Sequence, residues 1–107
     1  MDLKNVRRIL KTFADDTRLR IINILSRKEL TVNDLCNVLK KNQSNISKHL
    51  TRLRLTDIVE DRREGLNVYY YLKKPGNKYS RILLDAVTSG ISDINAFVKD
   101  AEKLNKI

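Results

Sequence analysis

Apolar residues recur along the chain at helical spacing, with one interruption where the spacing changes to that of strands. Leu3, Val6, Leu10 and Phe13 form a first stripe of three- and four-residue steps. Ala14-Asp15-Asp16-Thr17 interrupts it, and either Asp suits the cap of a second helix. That helix carries Leu19 and Ile22 with Ile21, Ile24 and Leu25, and runs to about Arg27 or Lys28. It is apolar over much of its circumference, which predicts a place at the centre of the core. Thr31 then reads as an N-cap with Asp34 three residues on, ahead of an apolar stripe of Val32, Leu35, Cys36 and Leu39. After Lys40-Lys41, Asn42 caps a helix from about Gln43 to Thr56, whose stripe is Ile46, Leu50 and Leu53. Two short helices joined by about three residues outline a helix-turn-helix.

The period then shortens. Ile58 to Arg63 and Asn67 to Leu72 flank Glu64-Gly65, and the second run is rich in Val and Tyr. This predicts a β-hairpin with its turn at the glycine. Beyond Pro75-Gly76, the one sharp break, Tyr79, Leu83, Ala86, Gly90, Ile94, Phe97, Ala101 and Leu104 step by three and four. The pattern predicts a single helix of about 25 residues, roughly 40 Å long. A core this small cannot cover that length, so its apolar stripe is expected to meet a second subunit. Gly90 inside it suits either close helix packing or a bend. The fold class is therefore mainly α with a small two-stranded antiparallel β-hairpin, a winged helix-turn-helix. The 107 residues form one domain, 1–107, with no repeat and no Gly/Ser linker.

With Ile46, Leu50 and Leu53 turned to the core, Ser44, Lys48 and Thr51 point directly away, flanked by Ser47 and Arg52. Gln43 and Asn45 sit in the first turn. Hydroxyls, amides and bases with few acids suit base edges and phosphates, and short side chains let the helix approach closely. The free N–H groups at its start favour phosphate as well. Such a face on an isolated helix reads most simply as solvated surface. Here the surroundings weigh against that. Between positions 40 and 63 there are seven bases (Lys40, Lys41, Lys48, Arg52, Arg54, Arg62 and Arg63) against Asp57, Glu60 and Asp61, a net of +4. The whole chain has 22 Lys and Arg against 13 Asp and Glu. The combined footprint points to nucleic acid.

Composition narrows the chemistry further. One Cys, one His and three Gly leave almost nothing for a catalytic triad, a phosphate loop or a His-based metal cluster. No enzyme, no cofactor and no metal site is expected. Asp85, Asp93, Asp100 and Glu102 read as solvated helix face rather than a hard-cation site. No apolar run reaches the roughly 18 residues of a membrane span, and the first residues lack a signal peptide's apolar core, so a cytoplasmic protein is expected. Cys36 lies on an apolar stripe and reads as a small core hydrophobe. A thiol-responsive role for it is one alternative, and a winged-helix module that binds protein rather than DNA is another. His49 falls at the edge of the core stripe and reads as a partly buried helix residue that reaches a phosphate at most. Among Tyr69, Tyr70 and Tyr71, strand alternation sends at least one to the core.

Three ordered motifs, Phe13-Ala14-Asp15-Asp16-Thr17-Arg18-Leu19-Arg20-Ile21, Gln43 to Leu53 (QSNISKHLTRL) and Asp61 to Leu72 (DRREGLNVYYYL), resemble the ArsR/SmtB family of winged-helix transcriptional repressors. With their connections they cover about residues 10 to 72. The resemblance implies a homodimer built from the first and last helices, with the 43–56 helix in the major groove of double-stranded DNA. By position in the motif, Gln43, Ser44, Asn45, Ser47 and Lys48 are implied as groove contacts, and Arg62 and Arg63 on the wing as phosphate contacts. Recognition helices one DNA turn apart imply a palindromic operator. The family's metal ligands do not carry over. Thr31 and Asn33 stand where a Cys-x-Cys pair would, and the last helix contains no His. Lys40-Lys41 replaces the Gly-Leu often found in the turn, where a Lys at positive φ costs about 1 kcal/mol.

Overall fold

The structure is a computed structural model that describes residues 2–76 and 78–107. It contains α1 (Leu3–Phe13), α2 (Asp16–Leu25), α3 (Val32–Leu39), α4 (Gln43–Leu55), β1 (Val59–Glu64), β2 (Asn67–Leu72), α5 (Lys78–Asp85), a π-helical turn (Ala86–Gly90) and α6 (Asn95–Leu104).

Side-chain caps start the first four helices. Asp2 accepts from the Asn5 N–H, Asp15 from Arg18 and Asn42 from Asn45, at 2.8–3.0 Å. Thr31 and Asp34 form a reciprocal capping box. Between α3 and α4 the chain reverses through Lys40, whose φ of 57° and ψ of 46° lie in the left-handed region. The expected strain is therefore present. β1 and β2 pair antiparallel from Val59↔Leu72 to Glu64↔Asn67, and Gly65 takes φ +63° in the two-residue turn, where a Cβ would be disfavoured. Leu30 extends this ribbon with two backbone hydrogen bonds to Tyr70, which ties the wing to the loop before α3.

The core is centred on α2, where Ile21, Ile22 and Ile24 are completely buried. Leu35, Val38 and Leu39 of α3 join them, as do Ile46, Leu50 and Leu53 of α4. Burying each of these aliphatic side chains contributes about 1.5–3 kcal/mol. The stripe on α1 is rotated from the one expected. Ile9, Thr12 and Phe13 are buried, while Leu3 and Leu10 are exposed.

The C-terminal region departs most from the sequence reading. It is not one 25-residue helix. It begins as α5, loosens into the π-helical turn, breaks over residues 91–94 and restarts as α6. α6 folds back against α2 and α3. Phe97 and Leu104 become buried, and Arg20 of α2 donates two hydrogen bonds of 2.9 Å to the carboxylate of Asp100, whose side chain is 1% exposed. This hydrogen bonding raises the guanidinium pKa further against the opposing effect of burial. The expectation that Asp100 is solvated is thereby corrected. Gly90 helps end the helical run because glycine is costly in a helix interior. Burying the α6 face then offsets the helical hydrogen bonds lost at the break.

Candidate nucleic-acid interface

Three apolar anchors orient α4. Ile46, Leu50 and Leu53 are at most 1% exposed, so the opposite side of a 3.6-residue helix must face outward. Ser44, Lys48, Thr51 and Arg52 are all exposed there, and Gln43 is exposed in the first turn. Ser47 and Asn45 flank this surface half-buried. Asn45 Oδ1 is shielded and unpartnered, which leaves this amide less open to a groove than Ser44. The α4 N-terminus is also free. Asn42 takes up the N–H of Asn45, and the N–H groups of Gln43 and Ser44 remain to meet an anion. The side chains of Lys41, Lys48 and Arg52 have neither hydrogen bond nor ion pair to any described residue.

A polar node fixes the back of this helix. His49 is 7% exposed. Its Nδ1 lies 3.1 Å from the Arg18 guanidinium and 3.9 Å from an Asp15 oxygen. Arg18 also donates to the carbonyls of Thr12 and Lys11 and so ties the α1–α2 corner to α4. A guanidinium only donates, so Nδ1 must accept and the imidazole is neutral with its proton on Nε2. Burial pushes the His49 pKa below its ordinary value. Arg18, Lys48 and Lys41 push the same way, and the nearby Asp15 opposes them. Burial also resists ionisation of Asp15, but the N–H bonds from Arg18 and Thr17 and the Arg18 charge outweigh it, so this carboxyl sits below its usual range. The sequence reading placed His49 at the core edge and missed its partners, because no local pattern announces a contact with a residue 31 positions earlier.

The two wing arginines differ. Arg62 forms ion pairs with Glu29 and with Glu64, the latter at 3.2 Å, and its guanidinium lies over the Tyr69 ring at 5.1 Å. Arg63 is exposed, and its side chain has no partner among the described residues. Arg54 of α4 meets Asp61 of β1 at 3.3 Å, a partly exposed pair between helix and wing. Of the predicted groove residues, Ser44 and Lys48 thus share the outward face with Arg52, Gln43 is exposed in the first turn, and Asn45 and Ser47 lie half-buried at the flanks. Arg63 stands free on the wing, and Arg62 is held by acids.

Cys36 is partly buried, and burial pushes its thiol pKa up, toward the neutral form. Among the described residues no group of three or more His, Cys, Asp or Glu side chains is placed to hold a metal. No helix among them is long and apolar enough to cross a membrane.

The profile described as "Bacterial regulatory protein, arsR family" matches residues 15–61, from the cap of α2 into β1. The arsenic resistance transcriptional regulator ArsR1 of Pseudomonas putida is 39% identical over 88 residues, 81% of this chain and 66% of that protein. The transcriptional repressor PagR of Bacillus anthracis is 37% identical over 76 residues, 70% of this chain and 76% of PagR. The homodimeric winged helix-turn-helix DNA-binding domain of a possible ArsR-family regulator from Mycobacterium bovis superposes with a TM-score of 0.69 at 31% identity. That match covers 85% of this chain and 81% of the domain. The chain spans less than two thirds of the length of several curated relatives, 59% and 56% in two further cases.

Proposed function

This chain belongs to the arsR family of bacterial regulatory proteins, and on that premise we propose that it is a homodimeric, sequence-specific DNA-binding repressor of the cytoplasm. The observation that carries the reading is the α4 surface: four polar or basic side chains, Ser44, Lys48, Thr51 and Arg52, exposed together and held outward by three buried aliphatic anchors. Gln43, Ser44, Asn45, Ser47 and Lys48 enter the major groove of double-stranded DNA. Arg52 and Arg63 meet phosphates, and Arg62 does so once it leaves its acids.

Dimerisation accounts for the apolar surface left open. Leu3 and Leu10 on α1 and Tyr79 and Ile82 on α5 are 45% exposed or more. Covering them with a second copy places two recognition helices about one DNA turn, roughly 34 Å, apart on a palindromic operator. The Mycobacterium bovis domain, similar over most of this chain, is homodimeric and supports the arrangement. The arsenic response in the name of the Pseudomonas putida relative is left out of the proposal. The Thr31 hydroxyl serves as a helix cap where that chemistry would need a thiolate, and Cys36 is biased toward the neutral thiol.

Selection of bound duplexes from a random pool, followed by anisotropy titration of the winner and a scrambled sequence, tests the reading. A selected palindrome should bind at least 10³-fold tighter than the scrambled duplex. Equal binding of both across a salt titration overturns it.

A further inference from the structure

The fold-back of α6 carries two lysines to the turn of the helix-turn-helix. A cleft of about 470 Å³ lies between the ends of α3 and α6, and Cys36, Val38, Lys40, Lys103, Lys106 and Ile107 contribute to its walls. No acid lines it. Some bases are paired internally, Arg20 with Asp100, Arg54 with Asp61, Arg62 with Glu29 and Glu64, and Lys73 with Asp57, whereas those at and along α4, Lys41, Lys48 and Arg52, are not paired with any described residue. Lys40, Lys103 and Lys106 have no such partner among the described residues. Lys40 also occupies the left-handed backbone region, where glycine would relieve about 1 kcal/mol, so the position holds a lysine at some cost in stability.

The cleft adjoins the surface already assigned to DNA. Lys40 is three residues from Gln43, at most about 11 Å of backbone from the first turn of α4. An unbroken C-terminal helix would carry Lys103 nearly 40 Å from Lys78. The break at 91–94 and the Arg20–Asp100 pair return it to α3. We propose that Lys40, Lys103 and Lys106 form a phosphate-binding flank that grips the DNA backbone outside the segment read by α4. The inference rests on the DNA-binding reading above and adds a contact made by the C-terminal helix. Flexible lysines suit it, since backbone contacts position a protein by point charge without reading bases.

The test uses the full chain and the selected duplex, titrated by anisotropy from 50 to 300 mM salt. Lys103→Gln/Lys106→Gln should flatten the log–log salt slope by about two units per protomer, because each neutralised phosphate contributes about 0.9. Lys99→Gln, on the same helix but outside the cleft, should leave the slope near that of the parent. Trimming base pairs from the duplex ends should weaken the parent and leave the double variant unaffected. A double variant with the parental slope, or one changed only as much as Lys99→Gln, overturns the proposal. Saturable binding of inorganic pyrophosphate that needs Lys103 and Lys106, with an unchanged DNA slope, also overturns it and assigns the cleft to a soluble phosphorylated molecule. If Ser44→Ala impairs binding while the lysine variant does not, only the flank fails. If no duplex binds the parent chain, the DNA reading fails with it.

Discussion

Replacing Arg20 by Ala tests whether α6 is locked onto the core as the structure describes. Asp100 is 1% exposed and receives both of its strong hydrogen bonds from Arg20, each at 2.9 Å. Without Arg20 the carboxylate is left buried with no counter-charge. Breaking an enclosed pair in this way costs about 3–5 kcal/mol. The Arg20 side chain is 22% exposed, so water reaches the vacated site and the lower end applies, about 3 kcal/mol. For a domain of this size that lowers Tm by roughly 12–20 °C. Urea unfolding at one fixed protein concentration measures it, because association would otherwise shift the midpoint. The Arg20→Ala/Asp100→Ala variant should recover part of the loss, since no orphan charge remains. A single variant within 0.5 kcal/mol of the parent, or a double variant no more stable than the single, would refute the reasoning.

Three further outcomes follow from the same geometry. Because the folded-state pKa of His49 is lowered, its contribution to stability is complete above the ordinary value of 6.5 and is lost as pH falls below it. The urea midpoint should therefore drop between pH 6.5 and 5, and His49→Gln should flatten that drop, whereas Asp15 acts only below about pH 4. Arg63→Ala should flatten the salt slope for all duplexes by about one unit, while Arg62→Ala, starting from an arginine already paired with acids, should change it less. Equal effects would show that Glu29 and Glu64 do not hold Arg62 from the phosphates. Lys40→Gly should raise stability by up to about 1 kcal/mol in urea melts, since glycine takes φ 57° without strain.

Much of the recognition unit is legible in the sequence because local rules govern it. Thr31 with Asp34, and Asn42 alone, mark helix starts through side chains that reach only three residues. The period of Ile46, Leu50 and Leu53 fixes which face of α4 is left outside. The helical region after Pro75-Gly76 is not legible, because its apolar spacing continues unbroken through the segment where the chain turns. What decides that turn is a pair 80 residues apart in sequence, Arg20 with Asp100, together with the burial of Phe97 and Leu104. Periodicity marks both sides of α1 and cannot tell the side that meets α2, through Ile9 and Phe13, from the side left open at Leu3 and Leu10. The partners of Arg62 are hidden for the same reason, since Glu29 reaches it only after the wing docks on the loop before α3.

The outward face of α4 is most directly tested by the ratio of affinities for selected and scrambled duplexes in Ser44→Ala and Lys48→Ala. Ser44→Ala should cost about 1–3 kcal/mol on the selected duplex and almost nothing on the scrambled one, so that the ratio falls at least fivefold. Lys48→Ala should lower the same ratio, with a smaller loss common to both duplexes. Unchanged ratios in both variants would place sequence reading elsewhere on the protein and contradict the account.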